Sequence, residues 1–318
     1  MILNNLNKSP SFLFLTGGLD KGGAERRSSN LIRFLYSQGY IVHVGIFSSE
    51  NHIVPINNKH YTSLTQLGKR GFIHILPTIK VIRLILAKKP NIVFSNLRRL
   101  NVILMIVKIL FRPYNVTFAL GVSNNPEHHP NPLFTRILYK KANFLIPNSL
   151  GIKKFLSNDW GLSKHDIHVI HNGLHEKTIK SLSEEDCSLK WFQESLPIII
   201  TIGRLSPQKN QTSLIKAFSQ IISKHQSRLV IIGEGPLLEN LKEFSRILSV
   251  SEHTWFAGFQ TNPYKFLARS SVFVLPSKWE GFPNVILESM ICGVPVISTN
   301  INYGPKEIIN HGENGFLV

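Results

Sequence analysis

Between Ser271 and Ser298 the chain reads SVFVLPSKWEGFPNVILESMICGVPVIS, and this stretch admits few folds. The run Ser271 to Leu275 is almost continuously apolar and β-branched, the composition of a strand buried on both faces, as in a parallel sheet. A loop carrying Glu280 and Gly281 follows. Pro283 suits the first turn of a helix, Asn284 to Cys292 continue it, and Gly293 with Pro295 two residues on supplies the stop. Val294 to Ser298 form the next strand. Glu280 thus sits at the carboxyl end of a strand, where open α/β sheets bind ligands. Glu288 lies eight residues on, among Val285, Ile286, Leu287, Met290 and Ile291, where a carboxylate is costly unless something satisfies it. The default for one helical Glu is the solvated side of an amphipathic helix. As a pair, bridged by a Gly-Phe-Pro loop at a helix N-terminus, the two glutamates make a site for a hydroxyl-rich, anionic ligand.

Glu280 to Glu288, embedded in W-E-G-F-P-N-V-I-L-E-S-M-x-C-G-V-P-V-I-S, resembles the E-x7-E motif of retaining glycosyltransferases of family 4, enzymes of the GT-B fold that include those of bacterial surface-glycan biosynthesis. The resemblance implies that Glu280, Gly281, Phe282, Pro283 and Asn284 meet the donor sugar, and that Glu288 binds the nucleotide ribose.

Alternating strands and helices run through the chain twice. Phe12 to Leu15 form a short strand, T-G-G-L-D-K-G-G-A-E follows, and a helix spans Ala24 to Ser37. Gly17, Gly18, Gly22 and Gly23 allow close backbone approach to a phosphate, although the spacing is neither G-x-G-x-x-G nor a P-loop, and a plain βα turn fits as well. The resemblance places Gly17 and Gly18 near the donor phosphates. Tyr40 to Phe47 form a second strand with His43 packed in it, and 49–72 read as loop. Helical runs Ile79 to Ala87 and Leu97 to Phe111 flank a strand at Asn91 to Ser95. The strand Asn115 to Leu120 leads into GVSNNPEHHP, where family members often place an acceptor-side His. Here Asn124, Asn125 and His128 mark the candidate acceptor region, with a solvated loop as the default for His128 and His129. Ala142 to Ser149 and Ile167 to Asn172 read as the last strands of a first domain, 1–173, closed by an Asn172-Gly173 turn. The acidic, serine-bearing stretch 174–195 reads as a linker.

The second domain, 196–318, opens with the strand Ile198 to Ile202, then G-R-L-S-P-Q-K-N and a helix from Gln211 to Ser223. Arg204 and Lys209 stand at the carboxyl end of a buried strand, from which cations can clamp a diphosphate. The resemblance assigns them, with Gly203, to the donor diphosphate, and makes Arg204, Lys209 and Glu280 the catalytic set. Gly233 and Gly235, in G-E-G-P after the strand Arg228 to Ile232, resemble the family's turn near the nucleotide. Trp255 to Phe259 form a further short strand. The tail from Ile308 resembles a segment that family members follow with more helices, so the chain reads as incomplete there.

Charge separates the halves. Residues 1–150 hold 19 Lys and Arg against 4 Asp and Glu, whereas 151–318 hold 17 against 15. The first half therefore faces a polyanion: an anionic membrane surface, a phosphorylated substrate or nucleic acid. Its cations Lys80, Arg83, Lys88, Lys89, Arg98, Arg99, Lys108 and Arg112 edge aliphatic runs, which suits lipid headgroups, or helices on a sheet with cations reaching to water. The absence of aromatic interleaving argues against nucleic acid. Cys187 and Cys292 lie far apart without metal spacing, which fits a reducing compartment.

The expected molecule is an α/β protein of two Rossmann-like domains facing a cleft, cytoplasmic and peripheral on the cytoplasmic face of a membrane. Its expected reaction is retaining transfer of a hexose or N-acetylhexosamine from a nucleotide sugar, a UDP-sugar above all, to a hydroxyl of a lipid-linked or growing glycan. No metal is expected, since the sequence has no D-x-D pair. A same-fold nucleotide-sugar epimerase or phosphorylase, a basic nucleic-acid-binding protein and an inactive binding module are the alternatives.

Overall fold

The structure, a computed structural model, describes residues 10–18, 23–47, 65–66, 75–113, 115–124, 126–128, 131–187 and 189–318. It divides after Gly173 into two units, each built on a six-stranded parallel sheet.

The first unit runs β1 (Ser11–Thr16), α1 (Gly23–Ser37), β2 (Ile41–Ile46), β3 (Thr65–Gln66), α2 (Ile75–Lys88), β4 (Ile92–Ser95), α3 (Arg98–Phe111), β5 (Thr117–Val122), α4 (Pro132–Tyr139), β6 (Phe144–Pro147) and α5 (Leu150–Lys154). The sheet order is β3-β2-β1-β4-β5-β6. Leu13, Phe14, Leu15, Val42, Val93 and Leu120 are all but fully buried, because parallel strands covered on both faces have no solvated side to supply. Two expectations change here. The stretch 49–72 contributes the edge strand β3, paired to Gly45 and Ile46. Ile167 to Asn172 is not a strand but joins β6 through a single Leu145–Ile167 bridge, with His168 N–H donating to Leu145 and Ile170 N–H to Pro147. Pro147 has no N–H to return, so the ladder stops.

The second unit runs α6 (Glu176–Ser183), β7 (Ile198–Ile202), α7 (Gln211–Ile221), β8 (Arg228–Ile232), α8 (Leu238–Ile247), β9 (Thr254–Gly258), α9 (Tyr264–Leu267), β10 (Val272–Leu275), α10 (Asn284–Ile291), β11 (Val296–Ser298), α11 (Pro305–Ile308) and β12 (Phe316–Leu317). Its order is β12-β11-β10-β7-β8-β9. The stretch 174–195 is built into this unit: α6 packs on α9, and Ile179 and Cys187 join the core of Ile200, Val230, Phe273 and Ile286. The chain leaves β7 in one direction and returns as β10 on its other side. That reversal is the switch point at which open α/β sheets leave a crevice outside the strands' carboxyl ends.

Candidate functional site

At that switch point two loops meet, one following β7 and one following β10. Lys278 N–H donates to Gln208 O at 2.8 Å, Gln208 Nε2 to Trp279 O at 2.9 Å, and Asn210 Nδ2 to Pro276 O at 3.2 Å. These bonds fix Lys209 opposite Glu280, and the Lys209 Nζ to Glu280 Oε1 distance is 2.6 Å. Ser277 Oγ, fully buried, donates to the same Oε1 at 2.6 Å. Thr299 Oγ1 in turn donates to Ser277 O at 2.5 Å, tying the loop to the end of β11. With Oε1 doubly engaged, Glu280 Oε2 takes no hydrogen bond from the described residues. Arg204, in the loop that follows β7, is exposed and makes no ion pair among the described residues. Its backbone carbonyl is held by Gln211 Nε2. A crevice with a fixed ammonium, an exposed guanidinium and one open carboxylate oxygen can bind a ligand that carries both phosphate and hydroxyl groups.

Glu288 is buried at 5% exposure, so the solvated-face default does not hold. The carboxylate accepts from Tyr264 Oη at 3.3 Å. Its negative charge, after burial, helps push the Cys292 thiol up to about 11. Gly281 and Pro283 are buried, and Asn284 begins α10. Pro283 has no N–H, so it shapes the loop while Gly281, Phe282 and Asn284 alone can offer backbone donors.

Gly233 and Gly235 are required by backbone contact. A Cβ on Gly233, whose φ is +139°, would fall 2.0 Å from Gly203 O, and one on Gly235 would fall 2.2 Å from Leu205 O. The turn after β8 thus presses directly on the loop that carries Arg204. Gly304, which the motif does not flag, plays the same part on the other side: a Cβ there would lie 2.6 Å from Pro283 Cδ. Ser277, Tyr264 and Gly304 are the members that sequence reasoning missed. Only the Ser277-x-x-Glu280 spacing hints at one of them, and any turn could carry it.

In the first unit, Gly17 and Gly18 follow β1, and Thr16 Oγ1 donates to Gly18 O at 2.7 Å. Asn124 is exposed beyond β5. Gly22, Asn125 and His129 lie outside the described residues; the backbone at His128 belongs to a 3-10 turn, Pro126–His128. Arg27, unflagged by any motif, is buried and donates to Ser123 Oγ, Ile146 O and Ile170 O at 3.2, 3.4 and 3.0 Å. Burial pushes its guanidinium down to about 10.

Comparison with known proteins bears on both units. The family model described as Glycosyltransferase Family 4 matches residues 21–177, and that of Glycosyl transferases group 1 matches 189–318. An uncharacterized glycosyltransferase from Methanocaldococcus jannaschii is 32% identical over 248 residues, covering 73% of this chain and 61% of its own length. The chain therefore spans less than two thirds of that relative. The N-acetylgalactosamine-N,N'-diacetylbacillosaminyl-diphospho-undecaprenol 4-alpha-N-acetylgalactosaminyltransferase of Campylobacter jejuni is 27% identical over 312 residues, 94% of this chain and 83% of its own. Anabaena HepE, solved in complex with UDP and glucose, superposes with a TM-score of 0.80 at 23% identity over 97% of this chain and 85% of its own. That likeness establishes the fold as two parallel-sheet α/β domains of the GT-B type.

Proposed function

The chain belongs to glycosyltransferase family 4, and from that premise we propose that it moves a hexose or N-acetylhexosamine from a UDP-sugar to a hydroxyl of a lipid-linked or growing surface-glycan acceptor, with retention at the anomeric carbon. The observation that carries the reading is the Lys209–Glu280 pair at the β7/β10 switch point, with the exposed Arg204 in the same loop as Lys209 and the buried Glu288 in the helix after Glu280. UDP is the favoured nucleotide because HepE, of the same fold, holds UDP and glucose. A lipid-linked acceptor is favoured because the Campylobacter relative is named for a diphospho-undecaprenol substrate.

In this reading the bond between the anomeric carbon and the diphosphate oxygen breaks, the acceptor oxygen bonds to the same face, and its proton leaves with the diphosphate. Lys209 and Arg204 offset the charge that develops on the leaving group, the kind of electrostatic assistance that contributes most in such sites. Glu280 Oε2 accepts from a sugar hydroxyl, and Glu288 from the ribose. The two cations and the amides that open α10 do this without a metal ion. The protein would act as a peripheral protein on the cytoplasmic face of a membrane; among the described residues no helix is long and apolar enough to cross one.

Calorimetric titration with UDP and with GDP tests the reading. UDP is expected to bind selectively, Glu288→Ala and Arg204→Ala are each expected to weaken it, and the product of a UDP-sugar assay is expected to keep the donor's anomeric configuration. Failure of the full-length protein to bind any nucleotide would overturn it.

A further inference from the structure

Helices α2, α3 and α4 pack pairwise in that order along the first sheet. Each joins parallel strands, so its first turn lies on the side of the strands' carboxyl ends. On that side α4 is apolar on both faces. Thr135, Leu138 and Tyr139 face inward, while Leu133, Phe134 and Ile137 stand 72%, 50% and 60% exposed. The first turns of α2 add Leu76 at 68%. Three large apolar side chains outward on an eight-residue helix go beyond the scattered exposure of an ordinary surface.

The charges on these helices have one sign: α2, α3 and α4 together hold seven Lys and Arg and no acid, and Glu127 precedes α4. None of α2, α3 and α4 has an acid in its first turn, where the helix dipole favours one. α3 instead opens with Arg98 and Arg99, and Arg98 is close enough to α4 for its charge to act on the Tyr139 phenol. Lys80 and Arg83 are exposed on α2. Cations that crowd where the local field already disfavours them are matched by an anionic partner. The exposed apolar residues between them are aliphatic but for Phe134, and a single aromatic side chain gives no run of faces on which successive bases could stack; the lack of acids does not suit the mixed-sign rim of a protein interface.

We propose that this surface, Leu133, Phe134 and Ile137 of α4 with Leu76 of α2 and Arg99 of α3, docks on an anionic phospholipid bilayer. The apolar groups enter the headgroup boundary while the cations hold phosphates, the division of labour of interfacial amphipathic helices. The surface stands on exposure and charge alone. Its consequence, that a lipid-linked acceptor arrives from the bilayer at the carboxyl-end side of the first sheet, rests on the function proposed above.

Flotation with vesicles of phosphatidylcholine, with and without phosphatidylglycerol, tests it on the full-length protein. Binding is expected only to the phosphatidylglycerol vesicles and is expected to fall with salt. Arg99→Glu should weaken it by about fivefold or more. The triple variant Leu133→Ser, Phe134→Ser, Ile137→Ser should weaken it by at least about tenfold. Leu110→Ser, equally exposed but in the last turn of α3, should leave it unchanged. UDP titration of every variant should match the unaltered protein, which separates lost docking from lost folding. The proposal is overturned if the unaltered protein ignores phosphatidylglycerol, if Leu110→Ser weakens binding as much as the triple variant, or if the patch proves to hold a second copy of the chain or RNA. Vesicle binding without any response to UDP would leave this surface standing and remove the function above.

Discussion

Lys209 and Glu280, 71 residues apart in the chain, share a 2.6 Å contact at the carboxyl ends of two adjacent strands. Both side chains are largely withdrawn from water, at 19% and 8% exposure, so each is the other's principal compensation. Removing either partner leaves a poorly solvated charge, which in buried pairs costs roughly 3 to 5 kcal/mol. Lys209→Ala should therefore lower thermal stability as well as activity. In a UDP-sugar transfer assay kcat is expected to fall on the order of a hundredfold, the scale of losing one preorganised charge at a leaving group. A Lys209→Ala protein that melts early yet turns over normally would make the pair structural only.

Ser277, fully buried, donates its hydroxyl to Glu280 Oε1. Ser277→Ala removes one of the two donors to Oε1, a loss of about 1.5 to 3 kcal/mol for a hydrogen bond to a charged group. The freed carboxylate should sample other rotamers. We expect kcat/KM to fall roughly tenfold while the UDP affinity, which the proposed function assigns to Arg204 and Glu288, stays within twofold. An equal loss in UDP affinity would show that Ser277 supports the whole loop rather than one side chain.

Two glycines separate steric need from backbone strain. Gly235→Ala would drive a Cβ to 2.2 Å from Leu205 O, with no flexible group to give way, and should cost roughly 3 to 5 kcal/mol in denaturant unfolding. Gly293→Ala meets open space and only the left-handed φ of +74°, so about 1 kcal/mol is expected. Comparable losses at both sites would contradict the close approach of the two loops.

Burial and, second, the Glu288 charge push the Cys292 thiol up to about 11. A raised thiol pKa keeps the sulfur protonated until the pH nears that value, so alkylation of native Cys292 at neutral pH should be slow. Glu288→Gln removes the charge while leaving the burial, and should speed alkylation several-fold, as read by peptide mass mapping. Unchanged reactivity in Glu288→Gln would place the carboxylate's charge elsewhere.

The sequence by itself determined the repeating strand and helix units and most of their bounds, because buried parallel strands and amphipathic helices write their periods locally. It also determined which two loops are rich in chemistry: Arg204 and Lys209 after one strand and Glu280 after another, with Glu288 in the helix that follows. Only the tertiary structure decided how they combine. Nothing in the chain before Ser271 says that β10 lies against β7, yet that pairing alone brings Lys209 to Glu280 and seals Ser277 from water. Glu288 was read as solvated by default, since a single polar position in a helix cannot report what packs on it; Tyr264, from a neighbouring helix, supplies the answer. The same holds for 174–195, polar enough to read as a linker until Ile179 and Cys187 find the second core, and for Ile167 to Asn172, whose strand-like composition meets the one partner residue, Pro147, that cannot complete a ladder. Composition fixes what a segment can bury or bond, but the free energy of doing so belongs to contacts with residues far along the chain.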